Sequence, residues 1–564
     1  METLHIDSFP QNRKHLNEFF RGLGQNRSIR TIQIGIDLGE SFQSLIPFLR
    51  NNDSLHELNF YTFDIGLQCA RNIALLLGQQ SYLKNLNFDE IDLDDEVFVE
   101  IASALRSQPQ MEQLHLCRNS VRRNGYAAFG SALEGCLSLR KLHFSTVGDD
   151  FDDNDFDGNN VDDEGLLAVA EGLKHCHNLT SLTLHGDGLI TEEGPRSLST
   201  LFRSDNCRLE HLELGQMNIG NDGMAVLADG LASLSSLKWL EFWGMSISDR
   251  GLQDLVRGLV NCNLEELRLS NNLLTDSVSG MRSLGSLVGR TTSMQVLKLR
   301  SSSVTDEGLQ SFVEGMANCC SLTELDLSGN RSITANGLTS LLSLLRTEHC
   351  TLCTLGILVI ELDDDGEASL ANGLVGNKSL RTIDLLSLGA KGCAAFSRLL
   401  CDTSSVKNTY LSNHTLTHVG YGIPSDVVKY LKWNKSLKDA AAICKILHSH
   451  PDIDMTPLFE FNLKCLPLVV GWLEKAKTYL SNVNESTESF QSRQLSAVYK
   501  FVRSMPQLAV AGYHSQKTKD NQSDAQKKRK FDQVTGSRVC WLRWGYVRLK
   551  DVDLVHLRHF ISKA

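Results

Sequence analysis

Acidic side chains at the spacing of a calcium-binding loop form the clearest chemical motif in this sequence. Within an acidic run at residues 148–164, five residues fit the pattern D-x-D-x-D-G-x5-E; they are Asp153, Asp155, Asp157, Gly158 and Glu164. Three short carboxylates, a glycine turn and a distal bidentate glutamate at this spacing can surround a hard cation. The run is therefore a candidate calcium site.

The same residues also fit a simpler interpretation, a solvated acidic insertion. Asn160 stands where calcium loops carry an aliphatic residue, and an aspartate-rich stretch can match the pattern by composition alone. Glu164 precedes Gly165 just as Glu307 precedes Gly308, so a repeat in the chain explains it equally well. We favour the insertion, keep calcium as the alternative, and expect no other cofactor.

That repeat is a short apolar phrase that recurs about every 28 residues between Ile29 and Val406. At Leu264 it reads L-x-x-L-x-L-x-x-N, and its alternating leucines predict a short strand. Apolar residues at i, i+3, i+4 and i+7 follow, as in residues 249–262, and predict a helix. A strand and a helix in each repeat build a solenoid with a parallel sheet on its concave side and helices on its convex side.

The strand phrase and the helix pattern G-L-x-x-L-x-x-x-L occur together in residues 321–345. They resemble the ribonuclease-inhibitor-like subfamily of leucine-rich repeat proteins, over about residues 12–434. The resemblance implies an α/β leucine-rich repeat solenoid, a horseshoe. The asparagine that closes the phrase is present only at Asn119, Asn272 and Asn330. We therefore expect the coils to be held mainly by apolar stacking.

The points at which the repeated phrase begins and ends predict four segments of the chain. They are an N-terminal helical cap at 1–26, a repeat domain of about 14 repeats at 27–434 with the insertion at 148–164, a helical C-terminal cap at 435–512, and a largely disordered basic tail at 513–564.

Composition narrows the choice of partners and location. The chain has 564 residues and a net charge of −11, which argues against nucleic acid and anionic membrane as partners. No secretory signal or long apolar stretch is visible, so we expect a cytoplasmic protein whose fifteen cysteines are reduced thiols. Several cysteines precede the next phrase, which predicts thiols buried at helix ends.

A compact basic run lies in the tail, at Lys527, Lys528, Arg529 and Lys530. Four adjacent positive charges suit capture by an acidic groove, as in nuclear import. A nuclear location is therefore a second possibility beside the cytoplasm, and a solvated charge run is the alternative interpretation.

The repeat spacing predicts which side chains share the concave face. Residues two, four and six positions after the first leucine of each phrase point outward from the strands. Adjacent strands lie about 4.8 Å apart, so His115 should neighbour His143, and Glu241 should neighbour Arg268. Two imidazoles side by side could bind a metal, but no cysteine–histidine cluster at zinc spacing accompanies them, so we expect no metal there.

Two tryptophans on this face, Trp239 and Trp243, are expected to face solvent among charges, which is the composition of an interaction hot spot. The alternative is a polar face that keeps the protein soluble, with the tryptophans covered by their neighbours. The predicted partner-binding residues are His115, His143, His185, His211, Glu213, Trp239, Glu241, Trp243, Arg268, Lys298 and Arg300.

These observations predict an intracellular recognition or scaffold protein, a monomer that binds a protein partner on its concave face. No G-x-S-x-G or H-E-x-x-H motif is present, and we expect no enzymatic activity. Regulation of a small GTPase is one alternative, because the Ran GTPase-activating proteins share this repeat type, although their long acidic tail is missing here. Calcium-dependent binding through the acidic run is another.

Overall fold

The computed structural model describes residues 2–450, apart from 7–12, 36–45, 50–51, 62–65, 79–81, 92, 146–160, 187–189, 276, 317–320, 348–349, 361 and 438–440. The chain divides into two compact units, Met1–Glu361 and Leu362–Ala564. This division falls inside the predicted repeat domain of residues 27–434.

In the first unit, the described residues form thirteen strands that lie side by side in chain order and run parallel. They are β1 Thr3–Ile6, β2 Thr31–Ile34, β3 Glu57–Tyr61, β4 Asn85–Asp89, β5 Gln113–Cys117, β6 Lys141–Ser145, β7 Ser181–His185, β8 His211–Gly215, β9 Trp239–Trp243, β10 Glu266–Arg268, β11 Val296–Lys298, β12 Glu324–Asp326 and β13 Thr354–Gly356.

Helices alternate with these strands. Those described in the first unit are α1 Arg13–Gln25, α2 Leu67–Leu77, α3 Asp95–Leu105, α4 Arg123–Leu133, α5 Asp163–Leu173, α6 Glu193–Phe202, α7 Gly220–Leu231, α8 Asp249–Gly258, α9 Val278–Arg290, α10 Asp306–Gly315 and α11 Ala335–Leu345. Helices with side chains are about 10 Å wide, whereas neighbouring strands are about 4.8 Å apart. The sheet of this unit therefore lies on the inner, concave side of the curve.

Alternation within each phrase buries one side of every strand. In β8, for example, Leu212 and Leu214 are fully buried, whereas His211 and Glu213 point to the opposite side and remain partly exposed. Leu212 lies opposite Leu240 of the next strand, so the leucines stack from coil to coil. The apolar core thus runs between the sheet and the helices.

The closing asparagines of the phrase are buried and bind backbone groups of two adjacent coils. The Oδ1 atom of Asn272 accepts hydrogen bonds from the backbone N–H groups of Met245 and Ile247, at 3.2 and 3.3 Å. Its Nδ2 group donates to the carbonyl oxygens of Phe242 and Ser270, at 2.9 and 3.1 Å. One amide thereby binds four backbone groups of two neighbouring coils.

A second set of polar ties joins the starts of neighbouring helices. Asp163, in the first turn of α5, accepts hydrogen bonds from the backbone N–H groups of Thr191 and Gly194 at 3.0 and 2.9 Å. Asp306 binds Thr334 of the following repeat in the same way. A Cβ atom at Gly194 would lie 2.8 Å from the Asp163 carboxylate, so the close approach requires glycine. The coils are therefore held by polar ties as well as by the expected apolar stacking.

The periodic cysteines at helix ends are buried thiols, as predicted, at three positions that the structure describes, whereas Cys207 and Cys350 are only half-buried. The Sγ atoms of Cys136, Cys176 and Cys262 lie 3.5, 3.4 and 3.4 Å from backbone carbonyl oxygens of a preceding coil. Burial raises the pKa of Cys136 and Cys176 to about 12 and that of Cys262 to about 11. These side chains are uncharged at neutral pH.

The N-terminal segment contains a strand as well as the predicted helix. Strand β1 pairs in parallel with β2, with Leu4 opposite Ile32, and α1 follows it. The prediction of a purely helical cap at residues 1–26 is wrong for this strand. Four alternating residues without a complete phrase are too short a signal to stand out in the sequence.

The second unit continues with helices and short strands. Its described elements are α12 Asp364–Gly373, β14 Thr382–Asp384, α13 Ala390–Leu400, α14 Val406–Leu411, β15 His418–Val419, α15 Ser425–Leu437 and α16 Ala441–Ser449. Strands β14 and β15 are parallel, with Ile383 opposite Val419. The faint phrase at Val406 is a helix, so the prediction of a repeat beginning there is wrong; Leu416 and Val419 supply the buried residues instead.

The predicted C-terminal cap is described only up to residue 450, where it is helical. The remaining part of that segment, the tail at 513–564 and the basic run at Lys527–Lys530 lie outside the described residues. Among the helices that are described, none combines the length and apolar character needed to cross a bilayer.

Asn272→Ala should destabilise the first unit by about 2 to 3 kcal/mol, because it leaves buried backbone donors and acceptors unpaired. The measurement is the midpoint of urea unfolding, together with hydrogen exchange at the Met245 and Ile247 amides. Asn178→Ala, which removes an exposed hydrogen bond to Leu137, is the control and should change stability by less than about 0.5 kcal/mol. Equal effects of the two substitutions would contradict the role given to the buried amide.

Candidate binding face on the sheet

The predicted binding residues lie on or directly after strands β5 to β11, and in-register pairing brings them together as the repeat spacing predicts. His115 lies opposite His143. Glu241 lies opposite Glu213 on one side and Arg268 on the other. The sheet therefore arranges these polar side chains in rows that cross the strands.

Trp239 lies at the centre of an ordered stack on β8 to β10. Its ring is parallel to the imidazole of His211, with 3.6 Å between ring centroids and 6° between planes. The guanidinium carbon of Arg268 lies 5.1 Å from the centroid of the indole. The tryptophan remains partly exposed. We call this stack of His211, Trp239 and Arg268 the Trp239 platform.

Trp243 does not face solvent, which corrects the sequence prediction. It is only 6% exposed, and a Cβ atom placed on Gly215, its neighbour on β8, would collide with its indole nitrogen. The indole meets the ring of His185 edge-on at 5.1 Å. Glycine on the neighbouring strand leaves the space that the indole fills, so the alternative interpretation, a tryptophan covered by its neighbours, is right for this residue.

His185, also predicted as a surface residue, is 7% exposed. Its Nδ1 atom lies 2.6 Å from the Ser145 Oγ atom, and its Nε2 atom lies 3.0 Å from a carboxylate oxygen of Glu213. Serine, histidine and a carboxylate are the components of a hydrolytic triad. However, Ser145 is 0% exposed, so a substrate cannot reach its hydroxyl. The contacts fix the orientation of His185.

The two neighbouring glutamates are in different electrostatic states. Glu241 is 6% exposed, and its burial, together with the charge of Glu213, raises its pKa to about 7. The ion pair with Arg268, at 3.3 Å, acts to lower this pKa but offsets only part of the rise. Burial acts to raise the pKa of Glu213. The hydrogen bond from His185 and the charges of the neighbouring histidines together lower this pKa by more, so the net shift is downward. Glu213 is thus the more acidic carboxyl of the pair.

Three potential metal ligands meet on β5 and β6. The rings of His115 and His143 are stacked, with centroids 4.2 Å apart, and the Cys117 Sγ atom lies 3.0 Å from the His115 Nε2 atom. One ligand atom from each residue lies within 4.8 Å of the others. Burial first, and then its histidine neighbours, lowers the pKa of His143 to about 3.

The sequence shows no cysteine–histidine cluster at zinc spacing, yet the structure places Cys117 beside the two histidines. Zinc motifs are recognised by spacing along the chain, whereas Cys117 joins this group from the strand of His115, on the same side as His143 of the next strand. The repeat spacing could have revealed this neighbour, because His115 and Cys117 lie four and six positions after the first residue of their phrase and both therefore point outward.

The basic end of the face is paired with acidic side chains. Lys298 lies 3.0 Å from Glu324, and Arg300 lies 3.5 Å from Asp326. These charges are fixed by their neighbours and remain at least partly exposed.

The proposed calcium residues are described only in part. Glu164 lies in the first turn of α5 and forms an ion pair with Arg123 at 2.9 Å, which agrees with the repeat interpretation. Asp153, Asp155, Asp157 and Gly158 lie outside the described residues, so calcium binding stays a prediction.

The two tryptophans should differ in their contribution to stability. Trp243→Ala empties a buried site and should cost about 3 to 5 kcal/mol, whereas Trp239→Ala, at a partly exposed position, should cost about 1 kcal/mol. Urea unfolding followed by far-UV circular dichroism measures both. A Trp239→Ala variant as unstable as Trp243→Ala would contradict the assignment of Trp239 to the surface.

Glu241→Gln should stabilise the protein at alkaline pH. Because the folded pKa of about 7 exceeds the ordinary value of 4.5, the folded state loses stability as pH rises between these values. The variant avoids that loss, so its advantage over the wild type should grow from below about 1 kcal/mol at pH 5 to about 3 kcal/mol at pH 8. Urea unfolding at several pH values tests this, with Glu193→Gln, an exposed carboxylate, as the control. A pH-independent difference would contradict it.

Comparison with known proteins places the chain in a family. No family model matches it. It is 29% identical to the ribonuclease inhibitor of Sus scrofa over 396 residues, covering 63% of this chain and 85% of that protein. It is 31% identical to the ribonuclease inhibitor of Mus musculus over 362 residues, covering 59% of this chain and 77% of that protein.

Human NACHT, LRR and PYD domains-containing protein 5 is 25% identical over 293 residues, which cover 48% of this chain and 23% of that protein. Among solved structures, a chain of the yeast Rad7 and Elc1 complex matches with 17% identity and a TM-score of 0.39, covering 66% of this chain and 83% of that one. The level of identity to the mouse inhibitor, the extent of the match and the repeated strand and helix show the same relationship: the chain belongs to the ribonuclease-inhibitor-like leucine-rich repeat proteins.

Proposed function

We propose that the first unit binds a protein partner on its concave sheet face, and that the Trp239 platform is the centre of the contact. The observation that carries this proposal is the partly exposed indole held between His211 and Arg268. Tryptophan and arginine are the residue types most often found at interface hot spots. Because both side chains are already ordered by their neighbours on the sheet, they would lose little conformational entropy when a partner binds.

The carboxylates beside the platform indicate what the partner presents. Burial, and then the charge of Glu213, raises the pKa of Glu241 to about 7, so this carboxyl is only partly ionised at neutral pH. A cationic side chain placed over these two residues would favour ionisation and gain a strong hydrogen bond. We therefore propose a partner with a basic side chain close to an apolar or aromatic one, the first for Glu241 and Glu213 and the second for Trp239.

The names of the relatives suggest a first partner to test. Two of them are called ribonuclease inhibitors, and this chain matches them across most of their length. We propose a ribonuclease as the first candidate ligand. Binding, rather than catalysis, is the proposed role, because the serine of the triad-like group is completely buried. The contacts on this face do not favour the alternatives of small-GTPase regulation or calcium-dependent binding.

We also propose that this binding takes place inside the cell. The support is the chemistry of the three helix-end cysteines, which are buried thiols donating to backbone carbonyls. Thiols persist in a reducing compartment.

Trp239→Ala should abolish or strongly weaken partner binding while leaving the fold intact. Loss of a hot-spot tryptophan costs about 2 kcal/mol or more, which corresponds to a drop in affinity of roughly thirtyfold. The full chain is immobilised, partners are captured from a lysate of its own cells, and binding of a purified ribonuclease is measured by calorimetry in parallel.

Tyr82→Ala is the matched control, because Tyr82 is an exposed aromatic residue, 52% accessible, outside the strands. It should capture the same proteins as the wild type. If Trp239→Ala also captures them all with unchanged affinity, the assigned surface is wrong. If specific partners are lost but the ribonuclease never binds, the surface stands and only the ribonuclease proposal fails.

A further inference from the structure

We infer that His115, Cys117 and His143 form a binding site for Zn²⁺ on the concave face, with one coordination position open to solvent. This inference does not depend on partner binding, since it rests on three side chains of β5 and β6, which β7 separates from the Trp239 platform on β8 to β10. Two imidazoles and one thiolate are a ligand set that zinc accepts readily, and water can fill the open fourth position.

The strands bring the donors together. His115 and Cys117 are two residues apart on β5, so they project from the same side of the sheet. His143 is the residue opposite His115 on β6. The donors belong to regular strands that are hydrogen-bonded on both sides, and such a backbone holds ligands in place better than a loop does.

The distances fit a tetrahedral ion after small side-chain rotations. With zinc–nitrogen bonds of about 2.0 Å and zinc–sulfur bonds of about 2.3 Å, tetrahedral donors lie about 3.3 to 3.6 Å apart. The Cys117 Sγ atom is 3.0 Å from the His115 Nε2 atom, and all three ligand atoms fall within 4.8 Å of one another. The first separation is slightly shorter than required and the others are at most 4.8 Å, so small side-chain rotations would bring the donors to tetrahedral spacing.

The surroundings define the site and the class of metal that it would bind. Cys117 is 2% exposed, whereas both histidines remain partly exposed, so the ion would bind at a rim with the thiolate beneath it. His185 meets His143 from the far side, with ring centroids 6.1 Å apart, and is itself fixed by Ser145 and Glu213. Nitrogen and sulfur donors select zinc over calcium or magnesium, which prefer oxygen.

Binding is a simple exchange of a proton for a metal ion. The thiol of Cys117 loses its proton to solvent, its sulfur donates an electron pair to Zn²⁺, and the neutral imidazoles donate one nitrogen lone pair each. Water occupies the fourth position. One proton is released and no oxidant or reductant is needed.

The test uses the full chain, stripped of metal with a chelator and then titrated with Zn²⁺ or with Co²⁺, which is spectroscopically visible. Co²⁺ should give a thiolate-to-cobalt charge-transfer band and the strong visible absorption of a tetrahedral ion, and Zn²⁺ should abolish both. Cys117→Ser should lose the charge-transfer band. Either Cys117→Ser or His143→Gln should weaken Zn²⁺ binding by at least tenfold, since even residues that only orient a ligand are worth about that much.

Matched controls exclude metal bound elsewhere on the chain. Cys353→Ser replaces another cysteine of the first unit, and His175→Gln replaces an exposed histidine outside the group; both should bind like the wild type. Far-UV circular dichroism checks each fold, and His115→Gln replaces any variant that fails to fold. The inference is overturned if the wild type shows no thiolate–cobalt band, or if the Cys117 and His143 variants bind zinc as tightly as the controls.

Discussion

The in-register parallel pairing of successive strands is the constraint on which the concave face depends. Backbone hydrogen bonds place each phrase directly beside the next, so Leu212 meets Leu240 in the core while Glu213 meets Glu241 on the opposite side. A change of register by one residue would exchange these two sides and bury the charges. The leucine core therefore fixes the order of the polar rows, although it makes no contact with a partner.

Neighbouring strands, more than a residue's own strand, decide what each outward side chain can do. Trp239 and Trp243 occupy the same side of β9, yet one remains partly exposed and the other is buried. The difference lies in the neighbouring residues of β8. Trp239 stacks on the ring of His211, whereas Trp243 lies beside Gly215, whose missing side chain leaves space for the indole to pack against the sheet. An aromatic ring beside another ring becomes a platform, and one beside glycine becomes core.

The sequence was sufficient to predict the repeat, the parallel sheet and the neighbours within each row, because these follow from a fixed period. It was not sufficient for features that depend on side-chain size or on two strands at once. Cys117 was missed as a companion of the histidines because zinc motifs are read along one segment. Strand β1 was missed because four residues give too short an alternation. The polar ties of Asp163 were missed because an aspartate at a helix start is already explained by its own helix.

The same register that orders the rows also explains how the proposed metal site would form without a dedicated loop. Adjacent strands are separated by about 4.8 Å, and facing imidazoles can lean toward each other until their nitrogens approach the spacing that a tetrahedral ion needs. A cysteine two residues along one strand then reaches the same point from below. Two histidines in successive repeats and one cysteine at the next outward position would supply the three protein ligands of the proposed site, provided that the backbone does not move. The buried asparagines and the aspartate ties hold the backbone in place. These polar groups therefore help to fix the positions of the outward side chains of the concave face.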